Sequence, residues 1–206
     1  NITGESFDYG PWRFLPHFDA GFTAAYFDQT GRYAYGRQPS AAMWALCRLA
    51  DCFVPIVNSE LLAETLSGFY SSMERNLARR FSWRLGVEGT DDDASQLSAL
   101  VFGAAKASQI SWDRLFHDLY GGHRPDKFAD PAWRDSAELT KLADFASSLS
   151  PRQTNTAVQA MRAAPLISLG IDVVERIWAP IVASDDWSEF TQSLQEIRAF
   201  GQRLRA

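Results

Sequence analysis

The 206 residues are 46% hydrophobic, enough to bury a core, and carry a formal net charge of −5, with 20 basic residues spread along the chain. No basic tract is present to follow a phosphate backbone, no apolar run approaches the roughly 20 residues that span a bilayer, and no charged-then-apolar leader opens the chain. Nucleic acid and membrane are therefore not expected partners, and a soluble, cytoplasmic, mainly α-helical single unit is the expectation.

The chain opens on Asp8-Tyr9-Gly10-Pro11, an acid set against a glycine and a proline. A magnesium ion on nucleotide phosphates takes only one or two protein carboxylates, so one fixed Asp can supply much of the protein's share. Asp8 is accordingly the candidate ligand for a metal ion on nucleotide phosphates. From Phe7 to Tyr35 there are ten aromatic residues with neither helical nor strand periodicity. This reads as one long irregular loop, either functional or a covering for the core, with a short extended pair near Phe7 and near Tyr33 to Tyr35.

After Pro39 the pattern becomes helical. Ser40 is the expected cap of a helix carrying Met43, Trp44 and Cys47 and ending near Pro55. Leu62, Leu66, Phe69, Met73, Leu77 and Phe81 predict one long helix from Ser59 to Gly86. Asp91-Asp92-Asp93 precedes Leu97, Leu100, Val101 and Ala104 at helical spacing. Three acids there suit a helix N-terminus better than a cation site, because they meet the helix dipole and match no EF-hand spacing.

Ser111 caps the next short helix, through Trp112, Leu115, Phe116 and Leu119, to a stop at Gly121-Gly122. Asp130-Pro131 is the expected start of a helix through Leu139, Leu142, Ala146 and Leu149, closed by Ser150-Pro151. Three more helical pieces follow: one around Ala157 to Arg162, one from about Pro165 interrupted at Pro180, and one from Ser184. The last carries Trp187, Phe190, Leu194 and Ile197 as its expected buried stripe.

Other chemistries find little support. His17, His117 and His123 have no partner at zinc spacing, and His117 is expected on the solvent side of its helix. Cys47 and Cys52 fall on different faces of one helix and are not expected to pair. Neither a nucleophile elbow nor a glycine-rich phosphate loop occurs, and the three lysines, Lys106, Lys127 and Lys141, lie far from Asp8. A nucleotide cradle, if there is one, must come from outside these residues. Arg37 is read as an ion-pair anchor for the end of the aromatic loop or as a phosphate ligand, and Arg75, Arg79, Arg80 and Arg84 as a solvated face.

Three motifs in order, Phe7 to Leu15, Gly31 to Pro39 and Trp44 to Ala50, resemble the selenoprotein O (SelO) family. Looser similarity continues through Trp112 to Leu119 and Asp186 to Leu194. The resemblance implies a protein-kinase-like fold, of which this chain is the helical C-lobe part. Residues 1–39 would be the DYG turn and an activation-segment-like loop, and residues 40–206 a helical bundle.

It also implies the reaction of a pseudokinase that transfers AMP, rather than the terminal phosphate, from ATP to Ser, Thr or Tyr hydroxyls of other proteins. By that resemblance Asp8 holds Mg²⁺ (or Mn²⁺) on the nucleotide. The second metal ligand, the base and the phosphate-binding parts fall upstream of Asn1, so no catalytic residue is assigned within these residues and the isolated chain is expected to be inactive. The chain departs from the family pattern at Arg37, where the family usually has Asn. Two alternatives stand beside this reading, a non-catalytic helical interaction module on the same scaffold and a phosphotransferase that moves the γ-phosphate.

Overall fold

The computed structural model describes residues 13–125, 133 and 136–205. The described structure is mainly α-helical, with a single two-stranded antiparallel sheet. No described helix is long and apolar enough to cross a membrane. The Asp8 turn, the expected strand near Phe7 and the Asp130-Pro131 cap lie outside the described residues. The chain forms two compact units, residues 1–14 with 19–73 and residues 15–18 with 74–206.

In the first unit, a 3-10 turn at Tyr35–Arg37 occupies the place where an extended segment was expected, and it leads into α1 (Gln38–Phe53). Pro39 sits in the first turn of α1, where its missing N–H costs nothing. The helix therefore starts two residues before Ser40, whose hydroxyl donates back to the Arg37 carbonyl (2.8 Å) instead of capping. Asn58 caps α2 (Ser59–Ser67) by accepting from the Glu60 N–H.

The long helix expected to Gly86 is broken at Gly68, and α3 runs separately over Phe69–Leu85. Gly68 is a poor helix former, costing about 1 kcal/mol against Ala, and the Thr65 and Ser67 hydroxyls bond the carbonyls of Leu61 and Glu64 just before it. Among the described residues of this unit only Ala34 is a buried apolar residue. The loop aromatics expected to pack are largely open, with Tyr26 at 90% exposure.

The second unit holds the core. Gly86, at φ +67°, ends α3 and turns the chain into β1 (Val87–Glu88). Thr90 then caps α4 (Asp91–Ser108) in a full capping box: its hydroxyl accepts from the Asp93 N–H while Asp93 accepts from the Thr90 N–H. The three aspartates thus serve the helix start, with Asp91 paired to Arg79 at 2.8 Å. Ser111 caps α5 (Trp112–Asp118) as its position predicts, and the chain turns at Gly121 and Gly122, both at positive φ.

Further on, α6 (Ala137–Ser148) is capped by Ser136, whose hydroxyl accepts from the Leu139 N–H. Residues Ser150–Pro151 form β2, which pairs with β1 in the register Val87 to Pro151 and Glu88 to Ser150. Then come α7 (Asn155–Arg162), α8 (Ile171–Ser184) and α9 (Ser188–Arg205). Pro180 lies inside α8, one turn from its end, without terminating it.

Packing of α4 on α6 makes the centre of this unit. Leu97 and Val101 share one buried cluster with Leu139 and Leu142, to which Ala104, Ala105, Ala143 and Ala146 contribute small side chains. Each fully buried leucine contributes about 1.5–3 kcal/mol. An aromatic group of Phe18, Phe81, Phe102, Trp112 and Phe116 covers one side, Trp112 and Phe116 stacking at 6.1 Å.

The expected buried stripe of α9 is corrected. Trp187 and Phe190 are 46% and 38% exposed and pack on each other, and the helix docks through Phe200 and Leu204. His117 is corrected too: its ring bridges the Asp118 carboxylate (3.2 Å) and the Ala164 carbonyl (3.1 Å) instead of facing water. The cysteines are unpaired as expected.

Candidate functional site

Asp8, the metal and ATP ligand expected from the sequence, lies outside the described residues, so no geometry attaches to it. Among the described residues no group of three or more His, Cys, Asp or Glu is gathered to hold a metal ion. One cleft built by described residues lies in the first unit, in sequence after the Asp8 turn. It encloses ≈ 560 Å³ and is lined by Thr30, Arg32, Tyr33, Arg37, Ser40 and Trp44 among others.

Asp28 shapes its rim. Its carboxylate accepts the Tyr33 N–H (2.7 Å), the Arg32 N–H (3.0 Å) and the Thr30 hydroxyl (3.2 Å), folding the loop back on itself around Gly31 at φ +63°. Those donors favour the ionised carboxylate and hold its pKa below 3.8, the Tyr33 N–H most of all. A second tie closes the loop: Arg37 donates from Nη1 to the Thr30 carbonyl (3.1 Å), fastening the rim to the start of α1.

Helical geometry supplies the floor. Arg37, Ser40, Ala41 and Trp44 stand at positions i, i+3, i+4 and i+7, which share one face of a helix. The Arg32 guanidinium lies over the Trp44 ring at 5.4 Å, so the loop and the helix meet through a cation–π contact. Among the described residues neither Arg32 nor Arg37 forms an ion pair. Arg37 thus anchors the loop end as the sequence suggested, through a carbonyl rather than a carboxylate. The sequence reading missed Arg32, although the one-face spacing from Arg37 to Trp44 was available to find the cleft.

No histidine joins this cleft. His17 is exposed, while His117 and His123 belong to the second unit. Burial and the nearby Arg162 push the His123 pKa below 6.5. Cys47 is partly exposed and Cys52 exposed, and the Cys52 thiol donates to the Arg48 carbonyl within its own helix.

The chain is similar to a class of nucleotidyltransferases. Relatives named protein nucleotidyltransferase YdiU include those of Synechocystis sp. (30% identical, over 97% of this chain and 45% of the relative), Trichodesmium erythraeum (31%, over 96% and 44%) and Gloeobacter violaceus (31%, over 96% and 44%). This chain therefore spans less than half the length of these curated relatives. Residues 1–198 match the family described as protein adenylyltransferase SelO, and the chain belongs to that family.

Proposed function

We propose that this chain acts as the C-terminal, kinase C-lobe-like portion of a protein adenylyltransferase and is inactive alone. The observation that carries the reading is the family match over residues 1–198, which takes in the Asp8 turn as well as the helices. In the reaction, a Ser, Thr or Tyr hydroxyl of a protein substrate attacks the α-phosphorus of ATP. The bond between that phosphorus and the bridging oxygen breaks, AMP stays on the hydroxyl oxygen, pyrophosphate leaves, and the proton passes to a base outside these residues.

Asp8 is the residue for the metal. A carboxylate is the hard oxygen ligand that Mg²⁺ or Mn²⁺ prefers, and a bound ion of this kind offsets charge on the phosphates and the departing pyrophosphate. The contribution of this chain is then mainly positioning: Asp8 orients the triphosphate and Gly10 relieves the turn beside it.

ATP labelled at the α- or the γ-phosphate, incubated with the polypeptide encoded by the whole gene and a mixture of proteins, tests the reading. Label should pass to protein from the α position only, and Asp8→Ala should abolish it. Transfer from the γ position alone would establish a phosphotransferase, and no transfer from either would favour the non-catalytic interaction module.

A further inference from the structure

We propose that the Arg32–Arg37 cleft binds the carboxylates of an acidic segment in a protein. Only the description of that protein as a substrate rests on the function proposed above.

The charge arrangement carries the inference. Two guanidiniums line one cleft, no carboxylate lines it with them, and neither arginine has an ion-pair partner among the described residues. Arg32 feels the charge of Asp28, but the Asp28 oxygens are already engaged by the two N–H groups and the Thr30 hydroxyl of the rim. In a chain of net charge −5 this is a local reversal of sign, which favours anionic partners there and disfavours them elsewhere.

Preorganisation adds to it. Arg37 spends Nη1 on the Thr30 carbonyl, which fixes the guanidinium and leaves its other N–H groups for a ligand. The Arg32 guanidinium is centred 5.4 Å from the Trp44 ring, a cation–π contact that consumes none of its N–H donors, which a carboxylate can therefore use. Tyr33 and Trp44 are 53% and 52% exposed and line the same cleft, offering aromatic surface to a side chain next to the acidic one. Two guanidiniums beside two exposed aromatic residues suit a peptide that sets acidic residues next to an apolar one.

The test uses the full-length polypeptide and a fluorescein-labelled glutamate-rich peptide containing one serine and one leucine, with its glutamine counterpart as control. Anisotropy without ATP should show tighter binding of the glutamate peptide, weakened about three- to tenfold by Arg32→Gln and likewise by Arg37→Gln. Arg37→Gln also gives up the Thr30 hydrogen bond and Arg32→Gln the Trp44 contact, so the glutamine peptide, which leaves the protein unchanged, isolates the charge. Equal binding of the two peptides, or binding indifferent to Arg32→Gln, would overturn the proposal, as would displacement of the peptide by magnesium-ATP together with a raised KM for ATP alone. If AMP transfer fails on every protein while arginine-dependent peptide binding persists, the adenylyltransferase reading falls and the cleft stands. If transfer proceeds without such binding, the cleft alone falls.

Discussion

The Arg84 guanidinium is centred 4.9 Å from the ring of Phe200, and the Phe116 ring lies 5.3 Å from it on α5, so one cation ties α3 to both α5 and α9. Burial lowers the Arg84 pKa, with Asp113 and Tyr120 opposing it, and Nη1 has no hydrogen-bond partner. The guanidinium sits against two rings while its charge is poorly solvated, and a long side chain of this kind can pack through its apolar stem.

Arg84→Met should therefore be nearly neutral, within about 1 kcal/mol, because it keeps the stem and removes a buried cation. Arg84→Ala should cost about 1–3 kcal/mol through lost packing. Urea unfolding midpoints decide it: if Arg84→Met destabilises as much as Arg84→Ala, the charge rather than the stem holds α9.

Gly86 is required by its neighbour Tyr120. A Cβ at Gly86 would stand 2.7 Å from the Tyr120 ring, and the residue sits at φ +67°. The ring itself is fully buried and held by a 2.6 Å hydrogen bond from its hydroxyl to Gln153, so it has no room to retreat. Gly86→Ala should lower stability by about 2 kcal/mol or more. Gly103→Ala, on the open face of α4 where nothing approaches within 4 Å, should raise it by about 0.5–1 kcal/mol. Thermal melts of the two variants should move in opposite directions.

Acid should weaken the second unit through the start of α4. The Thr90 N–H holds the Asp93 pKa below 3.8, and the Arg79 guanidinium does the same for Asp91. A carboxylate whose pKa is lower folded than unfolded contributes its full stabilisation above the unfolded value and loses it as pH falls through the folded one. Stability should accordingly be flat near neutrality and fall as pH drops through 3.8 and below. Asp93→Asn should flatten that acid limb, and an unchanged limb in chemical denaturation at graded pH would remove the capping box from the account.

The helices differ in what covers them. No residue of α1 or α2 is buried, whereas α4 and α6 each bury at least four. Hydrogen exchange on the 206-residue chain should find the amides of α4 and α6 protected on the order of a hundredfold or more beyond those of α1. Equal protection would mean that α1 gains cover from contacts absent here.

Some of this was open to reading along the chain. Thr90, Ser111 and Asn58 sit just before apolar periodic runs, and capping is a local matter of one side chain and the next three N–H groups, so helix starts with such residues follow from neighbours in sequence. The same locality misled at Ser40, where Pro39 had already opened the helix, and at residues 59–86, where the apolar spacing runs unbroken past a glycine that breaks the helix. Of the candidate site, Arg37 was visible as an anchor. Arg32 was not, because its partner Trp44 is reached only after the loop turns back on Asp28.

By itself the sequence determined the helical class, the capped start at Ser111 and the SelO family, since these depend on local hydrogen bonding, periodicity and ordered motifs. Tertiary structure alone decided which faces are covered. Arg84 became a packed cation although its spacing resembles a solvated face, His117 a bridge between Asp118 and Ala164, and Trp187 an open ring although its spacing resembles a core stripe. Burial is set by what lies across from a side chain: Ala164 is 47 positions from His117, and Phe116 and Phe200 are 32 and 116 positions from Arg84.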